Sequence, residues 1–194
     1  MRSDADLVST TLADAIALHD RVRRGSVQAV VDAAAAMVGA LAEGRTVLLF
    51  GNGGSAADAQ HVAAELVGRF LRERKPLAAI ALSTDTSVLT AIGNDEGYER
   101  VFARQIEALG RDGDVAIAIT TSGGSANVVA GLRTAKERRL RTIGFTGRDG
   151  GRVGEIVDIH VNVPSDSTPR VQEVQRTLLH SVCELVEQAF VQGS

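Results

Sequence analysis

A histidine and a glutamate stand four residues apart in the stretch GNGGSAADAQHVAAEL, which covers residues 51–66. If this stretch is helical, His61 and Glu65 lie on one face, about one turn apart. An imidazole and a carboxylate at that spacing can share a metal ion or divide acid–base work. Many exposed helices carry such a pair without any chemical role, so the spacing alone leaves both interpretations open.

The glycines ahead of this pair predict a tight turn. Asn52, Gly53 and Gly54 follow an apolar run that ends at Phe50, and glycine there permits a positive φ. Ser55 is predicted to cap the helix that follows the turn. The glycines match neither the P-loop nor the dinucleotide fingerprint, so no known nucleotide loop is indicated.

A second polar cluster is the run Thr120-Thr121-Ser122-Gly123-Gly124-Ser125-Ala126-Asn127. It follows a predicted strand and precedes a helical pattern. Hydroxyls and free backbone N–H groups at a helix N-terminus favour an anion, because the helix dipole and the unpaired donors act together there. A capped loop needs only one hydroxyl, so the run favours a site for a phosphate ester.

Polar residues also lie in the last helical pattern and at both ends of a short helix predicted after the second strand. Gln172 and His180 are eight residues apart in the last helical pattern and lie roughly on one side of it. A single histidine on such an apolar helix is more often a core residue than a ligand. Residues 83–86 and 93–95 can either hydrogen-bond a polyol or cap helices, and the sequence does not separate these two roles.

The elements that must position these residues alternate between strands and helices. Short apolar runs predict five strands, at residues 46–50, 77–82, 115–119, 142–145 and 156–163. The predicted crossover segments are 55–72, 86–110, 125–139 and 148–154, and the predicted flanking helices are 4–20, 25–43 and 168–191. Strands that are apolar on both faces are typical of a parallel sheet. We therefore predict an α/β fold with a doubly wound five-stranded parallel sheet, an N-terminal helical pair and a long C-terminal helix.

In such a sheet, ligands gather beyond the carboxyl ends of the strands, where the polar runs lie. We expect one domain over residues 1–194, with helices for oligomer contacts in 1–43 and the α/β core in 45–191. No repeat or linker divides the chain.

Composition narrows the classes of function. The net charge is −3 and the pI about 5.8, so no basic surface for nucleic acid is indicated. Aromatic residues make up 3% of the chain and tryptophan is absent, which leaves few stacking platforms for bases. The only cysteine, Cys183, falls in an apolar pattern and is expected in the core. We expect a cytoplasmic protein without a signal peptide and without a membrane partner.

Taken in order, the stretches GNGGSAADAQHVAAEL, STDTSVLTAIGNDEGYERVFARQ, TTSGGSAN and TPRVQEVQRTLLH resemble the phosphoheptose isomerases of the sugar isomerase (SIS) superfamily. The resemblance runs from about residue 45 to about residue 190. It implies a flavodoxin-like SIS fold and the interconversion of sedoheptulose 7-phosphate and D-glycero-D-manno-heptose 7-phosphate through an enediol. That reaction is the first step of nucleotide-activated heptose biosynthesis. The resemblance also implies one zinc ion per subunit and a homotetramer with its sites at subunit interfaces.

The resemblance assigns roles to individual residues. Glu65 is implied as the catalytic base and His180 as the second acid–base group. The implied zinc ligands are His61, Glu65, Gln172 and His180. The implied substrate contacts are Asn52, Gly53, Gly54, Ser55, Glu65, Asn94, Asp95, Thr120, Thr121, Ser122, Ser125 and Gln172.

Two positions depart from the family pattern. Gly124 stands where the family usually has Asn or Lys, and Ser167 stands where it often has Asp, so contacts from these positions stay open. The alternative function is a non-catalytic SIS protein that binds a replication initiator or senses a sugar phosphate. The joint presence of all four implied zinc ligands favours the enzyme, because a binding module does not need them.

Overall fold

Five parallel strands form one sheet in the structure, a computed structural model that describes residues 3–191. The strands are β1 Val47–Gly51, β2 Ala79–Ala81, β3 Val115–Ile119, β4 Arg141–Gly147 and β5 Ile159–Val163. They lie in the order β2-β1-β3-β4-β5, and every pairing is parallel. The predicted doubly wound sheet is confirmed, with the direction of winding reversing between β1 and β3.

Helices cover both faces of this sheet. Within the described residues they are α1 Asp4–Gly25, α2 Val27–Ala42, α3 Gly54–Val67, α4 Thr86–Asp95, α5 Ala103–Leu109, α6 Ala126–Glu137, α7 Gly151–Ile156 and α8 Thr168–Val191. A 3-10 turn, Tyr98–Arg100, lies between α4 and α5. The predicted N-terminal pair and long final helix are confirmed.

In the predicted crossover segment 86–110, α4 ends at Asp95, as expected of the short helix before residues 93–95, and Gly97, with a φ of +88°, turns the chain before α5. Two predicted strand bounds are wrong. The second strand has three residues in place of the predicted six. The last strand begins at Ile159, since the residues from Gly151 to Ile156 are helical. Within the predicted crossover segment 55–72, helix α3 ends at Val67.

Alternate residues of each central strand enter two cores. On one face Leu49, Ile117 and Phe145 pack with α2, α3 and α8. On the other face Phe50 and Ala118 pack with residues of α5 and α6. Both faces are therefore buried, which explains the nearly continuous apolar runs. Cys183 is 2% exposed within the first core, as predicted.

The first half of α1 leaves its apolar side chains uncovered. Leu18 and Val22 are buried near β5 and α8, whereas the apolar side chains of its first part are 58% to 71% exposed, namely Leu7, Val8, Leu12 and Ile16. No single helix within residues 3–191 is long and apolar enough to span a membrane; α1 and α2 pass that test only as a pair, bent by 70°.

Candidate active site

Two polar turns lie side by side beyond the strand ends. Residues of β1 and β3 pair in register up to Gly51 and Ile119, so the turns that follow them start level with each other. Asn52 Nδ2 donates to Asn127 Oδ1 over 2.9 Å, and Asn127 Nδ2 donates to Asn52 Oδ1 over 2.8 Å. This reciprocal amide pair joins the glycine turn to the start of α6.

The helix that follows the glycine turn carries His61 and Glu65 to the long final helix. His61 Nε2 is 3.6 Å from Glu65 Oε1 and 2.9 Å from His180 Nε2. The glutamate side chain is 20% exposed and the His61 side chain 42% exposed, so the group is open to a ligand. Helix α3 therefore brings the predicted pair to the predicted His180.

These three residues fit the implied zinc ion. Zinc binds imidazole nitrogen at 2.0–2.1 Å, so two nitrogens around a tetrahedral ion stand about 3.3 Å apart. Both measured spacings lie close to that value. Within residues 3–191, no group of three or more His, Cys, Asp or Glu side chains is arranged to hold a metal ion, so the zinc site stays a prediction.

Gln172 occupies a different place. It lies about two turns before His180 on α8, or about 12 Å along the helix axis. A Cβ at Gly54 would overlap its side-chain amide. A larger residue at position 54 would therefore displace the Gln172 amide from the turn. The structure thus places Gln172 beside the glycine turn, and its role as a zinc ligand stays a prediction.

The Thr- and Ser-rich turn follows β3. Thr120 is buried, its N–H donates to Phe145 O, and its carbonyl accepts from Gln175 Nε2. Gly123 adopts a φ of +65° and packs against Gly150. Ser125 is the residue before α6, and its side chain makes no capping hydrogen bond. Its hydroxyl is therefore available to a ligand, together with those of the partly exposed Thr121 and Ser122.

One expectation about this region is wrong. Ser55 does not cap α3: Gly53, with a φ of +55°, occupies the cap position, and Ser55 is 3% exposed inside the first turn. Because the turn needs a positive φ at its last residue, glycine takes the cap in place of serine. Asn94 and Asp95 lie exposed at the end of α4, where Asn94 Nδ2 donates to Asp95 Oδ1.

Within residues 83–86, the predicted role as a helix cap is confirmed for one residue. Asp85 accepts from Val88 N at the start of α4. Its carboxylate is therefore a helix cap.

The structure adds residues that the sequence did not single out. The carboxylate of Asp58 is 3% exposed and accepts two hydrogen bonds from the Arg176 guanidinium. Together with Gly54 and Gln172, these two residues line a cavity of about 260 Å³. Gln175 is fully buried behind Thr120. No local signal marks these contacts, because the partners are far apart in the chain.

The chain matches known proteins over most of its length. A family model described as SIS domain covers residues 12–147. The chain is 59% identical over 167 residues to the phosphoheptose isomerase of Aquifex aeolicus (strain VF5), a match that covers 86% of this chain and 87% of that protein. It is 50% identical over 185 residues to the phosphoheptose isomerase of Pelobacter propionicus (strain DSM 2379 / NBRC 103807 / OttBd1), with 95% and 98% covered.

A solved structure agrees with these matches. The phosphoheptose isomerase GmhA from Neisseria gonorrhoeae superimposes with a TM-score of 0.91 at 43% identity, over 96% of this chain and 100% of that one. The sequence matches and the shared fold extend across both turns and the final helix. The chain therefore belongs to the phosphoheptose isomerase family of SIS-domain proteins.

Proposed function

We propose that this protein is an aldose–ketose isomerase that interconverts sedoheptulose 7-phosphate and D-glycero-D-manno-heptose 7-phosphate. The observation that carries the proposal is the convergence of His61, Glu65 and His180 beside two polar turns. Family membership adds the reaction class, since the relatives are named phosphoheptose isomerases.

The reaction moves one proton between neighbouring carbons. From the ketose, Glu65 removes a proton from C1 while His180 gives a proton to O2, which forms the enediol. Glu65 then returns its proton to C2, and the proton on O1 passes to the neutral His180. Both groups end in their starting states, and the product is the aldose.

The metal is part of the proposal. The predicted ligands of one zinc ion per subunit are His61, Glu65, Gln172 and His180. His180 would bind the ion only in its neutral form, so its two proposed roles belong to different protonation states. When bound, zinc supplies a Lewis acid that polarises the sugar oxygens. The hydrogen-bonded pair of imidazoles, with Nε2 atoms 2.9 Å apart, supports this assignment, because both nitrogens can bind a cation once the shared proton is lost.

The substrate is proposed to lie across the two turns. The glycine turn, Asn52 to Gly54, would contact the sugar end together with Asn94 and Asp95. The phosphate would bind the Thr120–Ser125 turn, whose hydroxyls and backbone N–H groups precede α6. The reciprocal pair of Asn52 and Asn127 supports this arrangement, because it fixes the two turns relative to each other.

We also propose a homotetramer, located in the cytoplasm, with its sites at subunit contacts. The exposed apolar side chains of α1 support the assembly, since such a surface is usually covered by a partner. Light scattering would distinguish four chains from a monomer of 20.3 kDa. A monomer would contradict shared sites.

A single pair of variants tests the activity. Purified protein is incubated with sedoheptulose 7-phosphate, and the aldose product is followed by NMR, before and after chelation and after return of zinc. Glu65→Gln keeps the size of the side chain and removes the base, so turnover should disappear while the folded state remains. Glu73→Gln, at an exposed position, is the matched control. Turnover by Glu65→Gln at the rate of the control would contradict the assignment.

A further inference from the structure

The turn after α3 is attached to α8 by one buried carboxylate. Glu187 is 2% exposed, and its two oxygens accept the backbone N–H groups of Phe70, Leu71 and Arg72 over 2.8 Å to 2.9 Å. We call residues 68–75 the α3 exit turn. Three backbone donors on one carboxylate fix the path of this turn closely, because each hydrogen bond restrains a different peptide unit.

A buried arginine binds the other side of the same turn. The Arg74 side chain is 1% exposed, with its Nε 3.6 Å from Glu187 Oε1. Its Nη1 donates to the carbonyls of Leu66, Gly68 and Lys75, and its Nη2 donates to the carbonyl of Glu65 over 2.6 Å. The guanidinium thus satisfies carbonyls at the end of α3 that have no partner within the helix.

Both charges act next to the candidate active site. Arg74 binds the backbone of Glu65, the proposed base. Phe70, whose N–H is bound by Glu187, places its ring against the His180 imidazole, with centroids 5.5 Å apart and planes inclined by 32°. His180 lies on α8 about two turns before Glu187. The exit turn therefore contacts both proposed acid–base residues.

Stability alone gives weak grounds for such a pair. Replacing a buried ion pair by apolar residues of similar size is often neutral or stabilising, because the cost of removing two charges from water offsets their attraction. A hydrophobic pair could not bind three N–H groups and several carbonyls at defined positions. The hydrogen bonds of Arg74 and Glu187 to the backbone therefore explain why charged residues stand at these two positions: they hold the exit turn in place.

We propose that Arg74 and Glu187 are positioning residues that set the backbone of Glu65 and the ring of His180 through the α3 exit turn. This inference rests on the proposed acid–base roles of those two residues. It predicts that loosening the turn slows the chemical step and weakens metal binding, while binding of the substrate at the other turns changes little.

The test compares Glu187→Gln with Glu73→Gln. Both variants remove one negative charge. Glu73 lies on the same exit turn but its side chain is 88% exposed and contacts Arg69 at the surface. For each variant we would measure kcat and KM with sedoheptulose 7-phosphate, and titrate the metal-free protein with Co²⁺ by visible absorbance. Thermal unfolding would verify that each variant is folded, and light scattering would verify that it has the same number of chains as the wild type.

Glu187→Gln should lower kcat at least tenfold, change KM less than about twofold, and weaken Co²⁺ binding at least tenfold. Glu73→Gln should match the wild type. If Glu187→Gln does not fold, Phe70→Leu leaves the ion pair in place, removes the ring from His180, and should show the same loss. Values within twofold of the control for the folded variant would overturn the inference.

The behaviour of the wild-type protein distinguishes failure of the proposed isomerase function from failure of the positioning role. A wild-type protein that binds Co²⁺ but does not convert the sugar phosphate would contradict the isomerase, and the Co²⁺ titration would still decide the positioning role. A wild-type protein that does neither would overturn both.

Discussion

Two neighbouring glycines in the Thr- and Ser-rich turn should respond very differently to alanine. Gly123 has a φ of +65°, and a Cβ there would overlap the carbonyl group of Gly150. An L-residue in the left-handed region costs about 1–2 kcal/mol, and forcing a methyl group into packed surroundings costs about 1–3 kcal/mol. Gly123→Ala should therefore lower the free energy of unfolding by about 2–5 kcal/mol.

The adjacent glycine is the matched control. A Cβ at Gly124 would meet only Ser122 O, at 3.9 Å, which is an ordinary contact. Gly124→Ala should change the free energy of unfolding by no more than about 0.5 kcal/mol. Differential scanning calorimetry should then show Tm lowered by about 4–20 °C for Gly123→Ala, with little change for Gly124→Ala.

The same variants test the phosphate assignment. Gly123 O accepts from Val153 N at the start of α7, so displacement of Gly123 moves the turn that is proposed to bind phosphate. KM for the sugar phosphate should rise in Gly123→Ala more than in Gly124→Ala. Equal Tm values for the two variants would refute the steric argument, and equal KM values would refute the placement of the phosphate.

Three further outcomes are expected. Asn127→Ala should raise KM about tenfold in steady-state kinetics, because Asn52 loses its reciprocal amide partner; an unchanged KM would argue against the sugar contact. Burial raises the pKa of the Cys183 thiol to about 12, with the charge of Glu65 adding to the effect, so a disulfide reagent at pH 8 should modify it only in urea, and labelling of the native protein would contradict its burial. Desolvation raises the pKa of Glu187, but the N–H groups of Leu71, Phe70 and Arg72 and the charge of Arg74 outweigh it and lower the pKa overall. The carboxylate therefore contributes stability above the unfolded-state pKa, about 4.3, that is lost as pH falls through the lower folded value. Urea titrations should show the stability difference between wild type and Glu187→Gln shrinking below about pH 4, and a constant difference would contradict this.

The central part of the fold could be predicted because its causes are local. Strands β1 and β3 are buried on both faces, so the apolar runs mark them directly. The short strand β2 has only one buried residue, Ala81, and its pattern predicted twice its length. The polar residues 93–95 mark the end of α4 in the sequence, whereas the positive φ of Gly97 just beyond it leaves no pattern there.

The candidate site likewise contains residues that local spacing predicts and contacts that it does not. His61 and Glu65 share one helical turn, so their spacing predicted a common face. The contact of Asp58 with Arg176 joins residues 118 positions apart, and that of Phe70 with Glu187 joins residues 117 apart. Such pairings are created by the packing of α8 on α3. Nothing in the neighbouring sequence distinguishes Glu187 from an ordinary helical surface glutamate.

The position of α8 has a consequence for folding order. His61 and His180 are separated by 119 residues, so closing this contact carries a larger entropic cost than pairing of sequential neighbours such as β3 with β4. A chain with the sheet formed and α8 still undocked would hold His61 and Glu65 on α3 without His180. The proposed site is therefore complete only when α8 is docked on α3.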